Sequence, residues 1–228
     1  IGGIDSYDDD ASDTVSVGSC FIFDRFTDSI VAHYKGRPDT KTFYEQCRLL
    51  LIYYNATANY ERRNKGIYGH FYNKNCLHLL CDEPEILKEK GISKANTTGN
   101  NSKGTYPSVP TKNYGNSLSV TWTETPIPDR DVEGQETINM NKIPSVPLLR
   151  EIIYWSPDEK KNFDDVDAFR MVMIYRENLL KYEVQNMLKP NTRMSDRFWG
   201  RMKKGSAYNP KLIRTSPFGI KNYGKRYH

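Results

Sequence analysis

The order of short structural runs in the first eighty residues constrains this chain more than any other feature. Gly2-Gly3-Ile4-Asp5 leads into an acid-rich turn from Ser6 to Thr14. The runs Val15 to Asp24 and Ser29 to Tyr34 follow, broken by Asp, Ser, Gly and Thr. That pattern predicts three short strands, the opening of an antiparallel sheet. The stretch Phe43 to Tyr54 then carries apolar residues at helical spacing, with Asp39 or Thr40 placed to cap it. Ala56 to Glu61 is a short strand ending on a carboxylate, Asn64-Lys65-Gly66 starts a helix through Tyr72, and Leu77 to Leu80 returns as a strand. A helix–strand alternation after an antiparallel start predicts an α/β domain with a central mixed sheet flanked by helices.

Further along, residues 92–117 are rich in Asn, Ser, Thr and Gly and include Pro107 and Pro110, which predicts a loop or hairpin. A loop of that length is either a substrate-facing flap or disordered. Two helices close the domain. One spans Pro147 to Trp155, and a long one runs from Asp164 to about Leu188, with Val166, Phe169, Val172, Met173, Tyr175, Leu179 and Leu180 on one face. The expected organisation is a folded domain over residues 1–188 and a basic, aromatic-containing tail over residues 189–228.

Charge divides at the same place. Residues 189–228 hold eleven Lys or Arg against the single acid Asp196, a net of +10. The first 188 residues hold 22 basic and 27 acidic side chains, a net of −5. An acidic core suits an enzyme that collects divalent cations, with positive charge for phosphates placed elsewhere. No apolar stretch approaches the roughly 20 residues that a helix needs to cross a bilayer. Cys20, Cys47, Cys76 and Cys81 show no CxxC spacing, which fits a reducing compartment. Cys76, His78 and Cys81 would need a fourth ligand to hold zinc, and a buried strand with two small cysteines explains the same residues. The chain opens Ile1-Gly2-Gly3 without a methionine or a charged-then-apolar leader, which suggests an excised fragment of a longer protein.

Three carboxylates fall where secondary structure would deliver them to one place: Asp5 at the end of the first strand, Glu61 at the end of a later strand, and Asp164 at the start of the long helix, with Asp167 three residues on. Singly, each has an ordinary reading as a turn former, a surface charge or a helix cap. As a set they suit two-metal phosphodiester hydrolysis, which needs oxygen ligands converging from separate elements. Two carboxylates roughly 4 Å apart repel by about 4 kcal/mol at an effective dielectric near 20, so such a cluster calls for cations.

The strand Gly3-Ile4-Asp5 with Asp13-Thr14 after it, the segment Val31 to Pro38, the run Tyr53-Tyr54-Asn55-Ala56 leading to Glu61 and Asn64-Lys65-Gly66, and Phe163-Asp164-Asp165-Val166-Asp167-Ala168-Phe169 carry a family resemblance. Over most of residues 1–188 the chain resembles the nuclease domain of the large terminase subunit of tailed double-stranded DNA bacteriophages. The resemblance implies a ribonuclease H-like fold with a basic C-terminal tail. It also implies two Mg²⁺ or Mn²⁺ ions held by Asp5, Glu61 and Asp164, with Asp167 sharing or replacing the role of Asp164, and an endonuclease activity on concatemeric double-stranded DNA. Further implied partners are an N-terminal ATPase motor in the same full-length protein, the portal and the small terminase subunit, in the cytoplasm of an infected host cell. No membrane partner is implied.

The chain departs from the family pattern in one respect: asparagine follows Glu61 by three positions, at Asn64. It contains no Gly-x-x-x-x-Gly-Lys-Ser/Thr phosphate loop, so the motor lies outside it. Arg62, Arg63, Lys65 and Lys112 are candidates for contacts to the DNA backbone, and Asp8, Asp9, Asp10 and Asp13 for an auxiliary ligand or a solvated turn. The same acids would serve a Holliday-junction resolvase or a transposase-type enzyme. A non-catalytic DNA-binding or portal-docking module, with the tail as the gripping part, is a further alternative.

Overall fold

A computed structural model describes residues 1–7, 17–62, 65–93, 102–127, 137–156 and 163–188. Residues 1–184 form one compact unit, and 185–228 a second. The expected tail at 189–228 lies outside the described residues, as do residues 8–16 with their four aspartates.

The first unit is α/β, built on a four-stranded mixed sheet in the order β3-β2-β1-β4. The strands are β1 (Gly2–Asp5), β2 (Gly18–Asp24), β3 (Ser29–Gly36) and β4 (Ala58–Tyr60). β1, β2 and β3 pair antiparallel in sequence order, and β4 joins β1 in parallel. The parallel pairing requires a crossover, which α1 (Thr40–Tyr53) supplies. Asp39 caps α1 by accepting a hydrogen bond from the Thr42 N–H at 3.0 Å, one of the two caps the sequence offers.

Side chains alternate across the sheet, so each strand feeds two cores. Ile4, Cys20, Ile22, Ala58 and Tyr60 face α1 and α2 (Lys65–Asn73), meeting Phe43, Cys47, Leu51, Ile67 and Phe71. Phe21, Phe23 and Ile30 face the other way, onto Trp122 of α4 (Val109–Glu124), Leu148 of α5 (Val146–Tyr154) and Val166, Phe169 and Val172 of α6 (Asp164–Leu188). A short α3 (Glu85–Glu89) adds Ile86 and Leu87, which pack on Met171 and Ile174. Each fully buried Phe or Leu in these layers contributes about 1.5–3 kcal/mol.

Three sequence expectations are corrected. Residues 109–117, read as part of a loop, begin α4, whose Ser108 cap accepts from the Thr111 N–H at 3.2 Å. Pro110 sits in the first turn of α4, where its missing N–H costs nothing. Leu77–Leu79 is a 3₁₀ turn and not a strand, leaving Leu80 to pair with Ala58 as a single parallel bridge. The turn follows Asn75, whose φ of 53° redirects the chain. The α6 apolar residues do not form a one-sided stripe along its length. Between residues 164 and 174 every position but Asp167 is buried, because the helix is enclosed by the sheet on one side and by other helices on the rest.

Gly3 is what lets α6 lie directly on the sheet. A Cβ at Gly3 would stand 2.4 Å from the Ala168 carbonyl oxygen and 2.6 Å from the Val172 nitrogen. Only glycine allows that approach of helix backbone to strand backbone.

Candidate active site

Register fixes which side chains share the α6 face. Lys35 pairs with Ser19 and Ser19 with Asp5, while His33 pairs with Phe21 and Phe21 with Gly3. On the parallel side Gly3 pairs with Asn59, and Glu61 follows one residue after the Ile4–Tyr60 pair, its N–H reaching the Ile4 carbonyl at 3.3 Å. One row across the end of the sheet therefore reads Lys35, Ser19, Asp5, Glu61. The row beneath it reads His33, Phe21, Gly3, Asn59.

α6 lies over these rows and runs against β1. Ala168 covers Gly3, and the Met171 carbonyl accepts a hydrogen bond from Asn59 Nδ2 at 3.1 Å. From Gly3 to Asp5 the strand climbs roughly 6.6 Å, and from Ala168 back to Asp164 the helix climbs roughly 6 Å. These rises carry Asp164 and Asp167 toward the same end of the sheet as Asp5 and Glu61. The sequence-predicted acids are brought together at the C-terminal ends of β1 and β4. Glu61 and Asp164 are buried, and Asp167 is partly so.

Electrostatics reports the same convergence. Burial pushes the Asp5 carboxyl well above the usual carboxylate range, and the neighbouring charges of Asp167, Glu61 and Asp164 push it further, while Lys112 pulls it back. Each helix acid has its own anchor. The Val17 N–H donates to Asp164 Oδ2 at 2.9 Å. Asp167 Oδ1 meets Arg170 Nη2 at 2.5 Å and its Oδ2 lies 3.7 Å from Lys112 Nζ. As these side chains stand, no three His, Cys, Asp or Glu groups among the described residues are close enough to share a metal ion, and this holds equally for Cys76, His78 and Cys81. The four cysteines are free thiols.

The donor set itself fits a hard divalent cation. It is all carboxylate oxygen, it comes from three separate elements, and its central member resists ionisation because it is buried and, further, because its neighbours carry like charge. A divalent cation would relieve that repulsion directly.

A second polar cluster, which sequence reasoning missed, holds the start of α6. Asp165 is fully buried and turned toward β3, one helical step of about 100° away from Asp164. Lys35 Nζ donates to Asp165 Oδ2 at 2.9 Å and to Glu151 Oε1 at 2.7 Å. Glu151 Oε2 in turn accepts the Asp165 and Val166 N–H groups at 2.8 and 3.1 Å, so a residue of α5 caps α6. His33 completes the cluster, with Nε2 at 3.2 Å from both Asp165 Oδ1 and Ser19 Oγ and Nδ1 at 2.9 Å from Ser145 Oγ. Burial opposes charge on Lys35, yet its bonds to Asp165 and Glu151 prevail and raise its pKa. Burial likewise favours the neutral form of Asp165, but hydrogen bonds to His33, Lys35 and Ser19 prevail and lower its pKa.

Asn59 and Thr105 support the β4 side. Thr105 Oγ1 donates to Asn59 Oδ1 at 2.9 Å, and both residues are fully buried below Glu61. Gly104, with φ of 74°, brings this segment against Tyr60, where a Cβ would meet the Tyr60 ring at 2.6 Å. Of the proposed basic contacts, Lys112 stands at the acid cluster, and Arg62 lies 3.7 Å from Glu83. Arg63, Asn64 and the Lys65 side chain fall outside the described residues.

No protein-family model, curated protein or solved structure matches this chain.

Proposed function

We propose that the chain is a metal-dependent DNA endonuclease of the ribonuclease H-like type, the cutting domain of a viral DNA-packaging terminase. The observation that carries this reading is the delivery of Asp5, Glu61, Asp164 and Asp167 to one end of the sheet from β1, β4 and α6, with mutual repulsion concentrated on Asp5. The order of elements supports it as well: three antiparallel strands, a helical crossover, a parallel strand ending at a carboxylate, and a closing helix that opens on acids.

Asp5, Glu61 and Asp164 would hold Mg²⁺ or Mn²⁺. Bound there, divalent ions lower the pKa of an attacking water and stabilise the leaving oxygen of a phosphodiester. The chain's own residues supply position and charge. Asp5 and Glu61 sit on adjacent strand ends, whose spacing is set by the ladder. The Val17 N–H orients Asp164, and the Lys35–Glu151–Asp165 cluster fixes the helix turn that carries it. Phosphate contacts from Lys and Arg carry no base information, so cutting would show little sequence preference. The host cytoplasm, an ATPase motor ahead of this domain, the portal and the small terminase subunit belong to the same proposal.

Nicking of a supercoiled plasmid with added Mn²⁺ tests the reading. The wild-type chain nicks, and Asp5→Asn, folded to the same degree by circular dichroism, does not. Equal nicking by a folded Asp5→Asn protein would sink the assignment.

A further inference from the structure

The two acids of the α6 start have different surroundings, and the difference assigns them different work. Asp167 is already matched by a buried cation. Arg170, 3% exposed, reaches it at 2.5 Å and is itself held by Asn116 of α4, whose Oδ1 accepts from Arg170 Nε at 2.8 Å. The helices are pressed together at this point: a Cβ on Gly115 would stand 2.1 Å from Arg170 Cγ. Arg170 Nη1 is buried and has no hydrogen-bond partner among the described residues, so the guanidinium lies inside the protein and not at its surface.

Lys112 is placed otherwise. It lies on α4 four residues before Asn116, on the same helix face, and its side chain is 37% exposed. Its ammonium stands 3.7 Å from Asp167 Oδ2, beyond hydrogen-bond reach. A pair this long and this open to water is weak, so a better anion can displace it. With Asp167 paired to Arg170, Lys112 is a second cation at the edge of a cluster whose other acids are Asp5, Glu61 and Asp164. A partly exposed ammonium beside three carboxylate donors, held by no hydrogen bond to Asp167, is an arrangement that can receive a phosphate oxygen.

We propose that Lys112 is the side chain that binds the phosphodiester presented for cutting, and that Asp167, fixed by Arg170, serves as its resting partner and does not ligate metal. This rests on the nuclease reading of the acid cluster and adds a division of labour within it: Asp164 for the cation, Asp167 for Lys112.

The test uses the full 228-residue chain. Affinity for a linear DNA duplex is measured over a range of KCl concentrations for the wild type, Lys112→Gln and Lys112→Arg. Mn²⁺ binding is measured by calorimetry for the wild type, Asp164→Asn and Asp167→Asn. Loss of one phosphate contact lowers the slope of log affinity against log salt by about 0.9. Lys112→Gln shows that drop with Mn²⁺ binding retained, Lys112→Arg restores the slope, and Asp167→Asn keeps the Mn²⁺ heat that Asp164→Asn loses. An unchanged slope in Lys112→Gln overturns the proposal, and so does loss of Mn²⁺ binding by a folded Asp167→Asn protein. Should Asp167→Asn not fold, the exposed Lys112 variants decide alone. A wild-type chain that binds no Mn²⁺ and does not nick DNA overturns the nuclease reading instead, which keeps the two failures distinct.

Discussion

Replacing Lys35 with methionine should lower the stability of this domain by breaking the network that holds the start of α6. Methionine keeps the length of the aliphatic stem and removes the ammonium that joins Asp165 to Glu151. Asp165 is fully buried, so its carboxylate would be left with His33 and Ser19, while Glu151 would keep the two N–H groups of the α6 start. Removing one partner of a buried ion pair costs about 3–5 kcal/mol, because the other charge stays buried. The Lys35 side chain is 28% exposed and Asp165 retains other hydrogen bonds, which places the expected loss at the lower end of that range. For a domain of this size each kcal/mol moves the melting temperature by about 2–4 °C. Lys35→Met should therefore melt roughly 6–12 °C below wild type in metal-free buffer at neutral pH.

Adding Glu151→Gln tests the network itself, since residues in one network show coupling of about 0.5–3 kcal/mol in a double-mutant cycle. The acid dependence has a definite sign. The folded pKa of Asp165 lies below its unfolded value, so its contribution is complete above pH ~4 and is lost as pH falls through the folded pKa. Lys35→Met should weaken that acid-side dependence. A melting temperature within a degree of wild type, with no coupling to Glu151, would refute the view that this cluster holds the start of α6.

Asp5 predicts the opposite sign. Its folded pKa is raised, so the metal-free native state binds more protons than the unfolded chain between the two pKa values, and stability falls as pH rises through that window. Asp5→Asn should flatten this fall and melt higher than metal-free wild type at neutral pH, as followed by differential scanning calorimetry against pH. Gly3→Ala should lower stability by about 1–3 kcal/mol or more through forced separation of α6 from β1. In that variant urea unfolding would give the loss, and nicking activity should fall with it because the acids sit on the elements being parted.

The sequence made the site easier to read than the structure that supports it. Asp5 and Glu61 lie at the ends of short strand-like runs and Asp164 at the start of a long helix, and strand ends and helix starts can be read locally. Asp39 as the α1 cap was legible for the same reason. The supports depend on partners far apart in the chain: Lys35 and Asp165 are separated by 130 residues, and Asn59 and Met171 by 112. Asp165 was legible only as one of three neighbouring acids, because its different role comes from a single helical step that turns it from the cleft toward β3.

The start of α4 reads as loop in the sequence because residues 92–117 are rich in Asn, Ser, Thr and Gly and contain Pro107 and Pro110. In the folded protein Pro110 occupies the first turn, where proline is tolerated, and Gly115 is the point of contact with Arg170. The Leu77–Leu79 turn shows the reverse error, an apolar run too short to distinguish strand from 3₁₀ turn.

A crystal of the chain soaked in Mn²⁺ tests most directly whether these carboxylates hold a divalent cation. Anomalous density bounded by Asp5, Glu61 and Asp164, with Asp167 still on Arg170, is the predicted result. Density elsewhere, or a well-ordered cluster that stays empty at millimolar Mn²⁺, would contradict it.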